Sequence, residues 1–226
     1  MSAFASAFFL LTDWPAFRYM RAEAMPTPCT VIGITGGIAT GKSTFARLLR
    51  DRTGARFFNA DAAAHALYED EEVRALLRAE FGAGIFSAPG DLNRAALRAI
   101  VFADSEKKRA LEQILHPRIR LQWSAEADQS RQTGALFLAD IPLLYETHGA
   151  HLCDTVVVVA CSEPIQQRRL LARTRLAPAE ALAMIAAQLP LSEKISRAQH
   201  VVWNNGPLEC LSAQGEMLAA RWTAAA

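Results

Sequence analysis

Short apolar runs alternate along the chain with longer stretches of helical periodicity. Thr30-Val-Ile-Gly-Ile-Thr35 is a continuous β-branched run, the pattern of a strand buried on both faces. Glycines follow at once, and Lys42 to Arg50 then carries Phe45, Leu48 and Leu49 at helical spacing. Arg56 to Phe58 is a second short strand. Residues 61 to 81 read as one helix, ended by Gly82 and Gly84. After the turn-rich Ser87-Ala-Pro-Gly-Asp91, Asn93 is a good cap for a helix over Arg94 to Phe102. Residues 105 to 132 read as one or two long helices, with Pro117 starting a new one or kinking the old. Ala135–Ala139 and Thr155–Ala160 are further strands. Helical, Arg-rich sequence fills 163 to 198, interrupted near Pro178 and Pro190. Val201-Val-Trp203 is a last strand, and Asn204-Asn205-Gly206 opens a final helix. Strands alternating with helices predict a doubly wound α/β sheet with its site at one edge.

Length and composition fit one globular domain with a small inserted region. The 226 residues are 51% hydrophobic and 21% charged, enough to bury a sizeable core. Lys plus Arg is 24 against 23 Asp plus Glu, a formal net charge of +1. That balance argues against a nucleic-acid or membrane-surface partner, so any anion site must be local. Cys29, Cys153, Cys161 and Cys210 are scattered without a disulfide framework, which points to a reducing, cytoplasmic setting. His148, His151 and Cys153 lack the second ligand pair of a structural metal site and read as a surface loop. Phe8–Leu11 is too short to span a bilayer and has no preceding basic residue. Residues 1 to 29 are therefore expected to be a poorly ordered extension, with Met20 and Met25 as alternative starts.

The strongest chemical signal is Gly36-Gly37-Ile38-Ala39-Thr40-Gly41-Lys42-Ser43, which satisfies G-x-x-x-x-G-K-[ST]. Glycines allow the backbone to wrap an anion, and the following helix offers its positive N-terminus to the same phosphates. Lys42 is placed to reach the β- and γ-phosphates of ATP, and the Ser43 hydroxyl to ligate Mg²⁺. A chance match in a chain this long is on the order of one per cent, and the strand before it and helix after it meet the motif's own structural conditions. Asp140 ends an apolar strand, where a carboxylate supports Mg²⁺ directly or through water, or else caps the turn before Pro142. Arg169 and Arg173, four apart, share a helix face. No guanine-reading N-K-x-D segment exists in the chain, which excludes the common GTPase pattern.

From Val31 to about Leu211 the chain resembles the dephospho-CoA kinase family. Six blocks carry the resemblance, in order: Gly33 to Thr44; Phe58-Asn59-Ala60-Asp61; Leu92 to Arg98 with Val101-Phe102; Ile114-Leu-His116-Pro-Arg-Ile-Arg120; Asp140-Ile-Pro-Leu-Leu-Tyr-Glu-Thr147; and Asn204-Asn205-Gly206. The resemblance implies the P-loop kinase fold over residues 30–226: a five-stranded parallel sheet flanked by helices, a helical substrate-binding region over about 61–132 and a lid over about 163–198. It implies transfer of the ATP γ-phosphate to the ribose 3′-hydroxyl of dephospho-CoA, by a monomer or weak homo-oligomer. Another small-molecule P-loop kinase, of nucleoside, nucleotide or shikimate type, or a non-catalytic ATP sensor, is the alternative.

The same resemblance assigns roles by position. Asp61 becomes the catalytic carboxylate that orients or deprotonates the hydroxyl, with helix N-capping as the bland alternative. His116 falls on the dephospho-CoA side or is simply a buried histidine. Arg169 and Arg173 border the lid, where arginines neutralise the transferring phosphoryl, with Arg168 and Arg175 crowding the same stretch. Nucleotide binding falls to Gly36, Gly37, Ala39, Thr40, Gly41, Lys42, Ser43 and Thr44, and to Asn205 in the loop that holds adenine. Asn59, His65, Gln199 and Trp203 depart from the family's usual residues, and no catalytic role is carried onto them.

Overall fold

In the computed structural model, residues 30–87, 90–174 and 176–223 are described; the extension expected over 1–29, and Arg175, lie outside them. The elements in chain order are β1 (Val31–Gly36), α1 (Lys42–Thr53), β2 (Arg56–Asn59), α2 (Ala60–Leu67), α3 (Glu71–Phe81), α4 (Arg94–Ala103), α5 (Ser105–Thr133), β3 (Phe137–Asp140), β4 (Thr155–Ala160), α6 (Glu163–Arg173), α7 (Pro178–Ala186), α8 (Leu191–Arg197), β5 (His200–Trp203) and α9 (Leu208–Thr223). The strands form one parallel sheet in the order β2-β3-β1-β4-β5, the doubly wound α/β arrangement expected. Among the described residues no helix is long and apolar enough to cross a membrane.

Two compact units divide the chain: residues up to Phe58 together with those from Ala127 onward, and Asn59–Glu126. In the first, β1 is buried along its whole length, as its unbroken apolar run requires of a central strand. One sheet face packs on α1 and α9 through Ile32, Ile34, Phe45, Leu49, Leu218 and Trp222. The start of β1 is pinned by Asp154, whose Oδ2 accepts from the Val31 amide at 2.8 Å, the Thr30 amide at 3.0 Å and the Thr30 hydroxyl at 2.9 Å. Burial pushes this carboxyl's pKa up, but those bonds and one from Arg131 together outweigh burial and hold it below the usual value. The second unit is helical around Val73, Leu77, Ile85, Leu97 and Leu115.

Two elements differ from the expected pattern, and in a third the structure selects one of two expected arrangements. The helix over 61–81 is two helices, because Asp70 leaves the helical conformation and caps α3 by accepting from the Val73 amide at 3.0 Å. Residues 105–133 stay one helix through Pro117; the Arg118 guanidinium donates to the Ile114 carbonyl at 3.0 Å beside the missing N–H. The third strand starts at Phe137 rather than Ala135, since the Ala135 amide closes the end of α5 on the Ser130 carbonyl.

His200 on β5 is 4% exposed, neither ring nitrogen has a hydrogen-bond partner among the described residues, and its ring meets Trp222 edge-on at 5.8 Å. Burial, with the nearby Arg221 charge, pulls its pKa from 6.5 down to about 4. The unfolded chain therefore binds the extra proton first. Stability from neutral burial is complete above about pH 6.5 and is lost as pH falls toward 4. Between pH 7.5 and pH 5 this group should remove about 2 kcal/mol. Urea unfolding of the His200→Phe variant is expected to show a correspondingly shallower decline over that range. An equally steep decline in wild type and variant would refute the assignment.

Candidate active site

The loop from β1 to α1 is shaped by two residues at positive φ and one close approach of a side chain. Gly41 caps α1 at φ 94, a left-handed conformation in which a Cβ would collide with the Asn204 amide. A Cβ at Gly37 would come 2.6 Å from Gln166 Nε2. Ala39 also sits at positive φ, 59°, which costs an L-residue about 1–2 kcal/mol. No side chain caps α1, in contrast to α2, α3 and α4, where Asn59, Asp70 and Asn93 do so. The Thr44 amide turns back to the Gly41 carbonyl at 3.1 Å, and the N-terminal end of α1, free of a side-chain cap, is suited to an anion.

Side chains from distant segments hold the loop in place. Gln166 on α6 donates to the Ile38 carbonyl at 2.9 Å, while Gln188 Oε1 accepts from the Ile38 amide at 2.8 Å. Asn204 Nδ2 donates to the Thr40 carbonyl at 2.8 Å. Thr40 closes the turn itself, its hydroxyl donating to the Gly37 carbonyl at 2.9 Å.

Strand register and the return of the glycine loop together bring the charged residues of the loop and the sheet into contact. Ile34 of β1 pairs with Asp140, the last residue of β3. Asp140 is fully buried and Lys42 is 8% exposed, and the Lys42 ammonium makes a salt bridge to Asp140 Oδ1. The ammonium that the motif directs to phosphate thus rests on the carboxylate expected to support the metal. Ser43, next in the chain, is exposed.

Beside the loop lies a cavity of about 360 Å³, in the size range of ligand pockets. Ala39, Gly41 and Thr44 form its floor, and Arg169 and Arg173 of α6 supply its charge. Asn204, Gly206, Leu208 and Leu211 close the remaining side. Arg169 also donates to the Asn204 carbonyl at 2.8 Å. Arg168 is exposed and does not line the cavity. Asn205 is used elsewhere: its Oδ1 accepts from the Ser162 amide at 2.8 Å at the start of α6. Gln199 and Trp203 do not line the cavity either. Gln199 Oε1 accepts from the Val156 amide at 2.9 Å, and the Trp203 backbone is bound at both its amide and carbonyl by Gln214.

In the second unit, Asn59 is the N-cap of α2, accepting from the Ala62 amide at 2.7 Å. Asp61 lies in the first turn of that helix and is exposed. His65 is exposed and stacks loosely on Tyr68. His116 lies within α5; burial lowers its pKa against the opposing pull of Glu112, with Arg120 and Lys108 lowering it further, so the ring is neutral at pH 7. Among the described residues no group of three His, Cys, Asp or Glu could hold a metal; His151 Nδ1 instead meets the His148 carbonyl at 2.7 Å.

Sequence reasoning assigned no role of their own to Gln166, Gln188, Asn204 or the pair formed by buried Lys194 and partly buried Glu146, at 2.7 Å. Asn204 was within reach of it, as the neighbour of Asn205 in an Asn-Asn-Gly turn. Gln166, Gln188 and Lys194 carry no motif and sit in the stretch expected to be helical, where Gln and Lys ordinarily face water, while Glu146 lies in the Asp140–Thr147 block without a role assigned to it there.

The dephospho-CoA kinase family model matches residues 30–209. A dephospho-CoA kinase from Anaeromyxobacter dehalogenans is 47% identical over 192 residues, covering 84% of this chain and 90% of the relative. A crystal structure from Thermus thermophilus, 36% identical, superposes with a TM-score of 0.68 over 84% of this chain and 97% of the other. The dephospho-CoA kinase structure from Campylobacter jejuni, at 23% identity, shares the fold, with a TM-score of 0.64 over 85% of this chain and 97% of that one. With its glycine loop, uncapped helix and five-stranded parallel sheet, this chain belongs to the dephospho-CoA kinase family and has the P-loop kinase fold.

Proposed function

We propose that this chain transfers the γ-phosphoryl group of ATP to the ribose 3′-hydroxyl of dephospho-CoA, the last step of coenzyme A biosynthesis, through the residues named here. The observation that carries the reading is the uncapped α1 N-terminus and buried Lys42–Asp140 pair beside a cavity lined by Arg169 and Arg173. In the transfer, the 3′-oxygen bonds to the γ-phosphorus, the bond to the β–γ bridging oxygen breaks, and ADP leaves. The displaced hydroxyl proton goes to a carboxylate.

Lys42 starts on Asp140 and moves to the β- and γ-phosphates, whose greater negative charge outcompetes a single carboxylate. Asp140 and the exposed Ser43 hydroxyl are oxygen donors of the hard type that suits Mg²⁺. They would hold the ion, which supplies neutralisation of the phosphate oxygens. Gly36, Gly37, Ala39, Thr40 and Gly41 shape the phosphate cradle, and Thr44 walls the neighbouring cavity. The turn at 204–206, with Leu208 and Leu211, takes the adenine, Asn205 serving it by fixing the start of α6. Arg169 and Arg173 neutralise charge on the transferring phosphoryl. Asp61 is the base: it makes no hydrogen bond or ion pair among the described residues, which leaves it able to accept from an alcohol. The neutral His116 belongs with the acceptor. The near-zero net charge supports an enzyme without a nucleic-acid partner, the scattered cysteines support a cytoplasmic setting, and the enzyme is taken as a monomer or weak homo-oligomer.

Because Asp61 is exposed and caps nothing, Asp61→Asn is expected to melt within a degree or two of wild type. Its turnover in an ADP-release assay with dephospho-CoA should fall by about 10²–10⁴-fold. Near-normal kcat would remove Asp61 from the chemistry. Arg173→Glu should depress kcat by about tenfold or more while leaving Tm nearly unchanged. Equal turnover in that variant and wild type would exclude Arg173 from the transfer, and ADP release independent of acceptor would contradict the kinase reading itself.

A further inference from the structure

Lys194 is fully buried, although it lies on the short helix α8 between Glu193 and Arg197, where a lysine would ordinarily be solvated. All three of its ammonium donors are directed to acceptors. Glu146 Oε1 lies at 2.7 Å, the Pro142 carbonyl at 3.0 Å and the Gly36 carbonyl, more weakly, at 3.4 Å. The acceptors sit where the site is built. Gly36 ends β1 and opens the phosphate loop. Pro142 follows Asp140 by two residues, and its carbonyl also accepts from the Thr35 hydroxyl at 2.9 Å. Glu146 Oε1 further accepts from the Leu189 amide at 3.1 Å, and Leu189 adjoins Gln188, which holds the Ile38 amide. The segment 188–194 thus ties the first half of the phosphate loop to the turn after β3.

Such a pair is a poor way to add stability. Two charges removed from water repay little over packed hydrophobic groups, whereas removing one partner alone is costly. The pair does fix geometry, because each bond is directional and its acceptors are backbone carbonyls of two loops. Burial and the neighbouring Lys42 charge lower the Lys194 pKa, while Glu146 raises it.

We propose that Lys194 and Glu146 are positioning residues for phosphoryl transfer: without touching substrate, they hold the Gly36 end of the phosphate loop in register with the Asp140 turn, and so set where Lys42 and Asp140 meet the triphosphate. The proposal rests on the kinase activity given above. A shift on the order of 1 Å at such a site costs up to about 10²-fold in rate.

The test is steady-state kinetics with ATP and dephospho-CoA, alongside thermal melting, on Lys194→Met, Glu146→Gln and the double variant of the full chain. Each single variant is expected to lose about ten- to a hundredfold in kcat, with KM for dephospho-CoA within about twofold of wild type. The double should lose little more than either single, as a shared device requires. Glu146→Gln keeps an oxygen for the Leu189 amide and decides the matter should Lys194→Met not fold. A kcat within about twofold of wild type, even with a lowered Tm, overturns the proposal, as does a rise in KM with kcat unchanged. Failure of Glu146→Gln to fold likewise assigns the pair to structure alone. Wild-type turnover in the same series reports on the activity separately: its absence refutes the kinase reading and this role with it, whereas its presence with unaffected variants sinks only the positioning role.

Discussion

The ion pair between Lys42 and Asp140 places the strictest demand on this molecule. Neither charge tolerates burial alone, and both are buried. The pair forms only if β3 lies beside β1 with Ile34 opposite Asp140, and only if the glycine loop has returned the chain to start α1 at Lys42. The strand order, the left-handed Gly41 and the uncapped helix are therefore conditions of one contact. The same contact explains how the site waits for its substrate. The ammonium is desolvated and aimed before nucleotide arrives, so binding exchanges one anionic partner for another instead of stripping water from a lysine.

Around that pair the loop is held by neutral amides more than by charge. Gln166, Gln188 and Asn204 each bond a backbone group of residues 38–40, and none adds a charge that would repel a triphosphate. Gln188 and Leu189 join α7 to α8, inside the stretch that the family resemblance assigns to a lid. The loop's geometry is consequently tied to the connection between α7 and α8.

Much of this was legible in the residues. The run from Thr30 to Ser43 carries strand, turn and helix signals that agree, and five strands could be placed within a residue or two. The divided helix at Asp70 has a readable cap, but the apolar spacing on either side continues across the gap and masks it. Pro117 signals a break that the long helix α5 absorbs. Site residues followed the same rule. Lys42, Asp140, Arg169 and Arg173 stand at positions that motif or spacing identifies. Lys194 cannot be told from a surface lysine, because its burial depends on carbonyls more than forty residues away. Gln199 and Trp203 depart from the family's usual residues, yet Gln199 bonds the start of β4, the Trp203 backbone bonds Gln214, and neither lines the cavity.

The central place of β1 also bears on how the chain is made. Its two neighbours in the sheet, β3 and β4, are translated roughly one hundred residues later. At ribosomal speeds of about 5–20 residues per second, β1 emerges apolar on both faces and stays unpaired for about 5–20 s. During synthesis its six residues are an aggregation-prone edge with no partner yet in existence. The helices of Asn59–Glu126, whose contacts are local, can condense in that interval. Of the described strands, the one that finally anchors the phosphate loop is thus made earliest and waits longest for its neighbours.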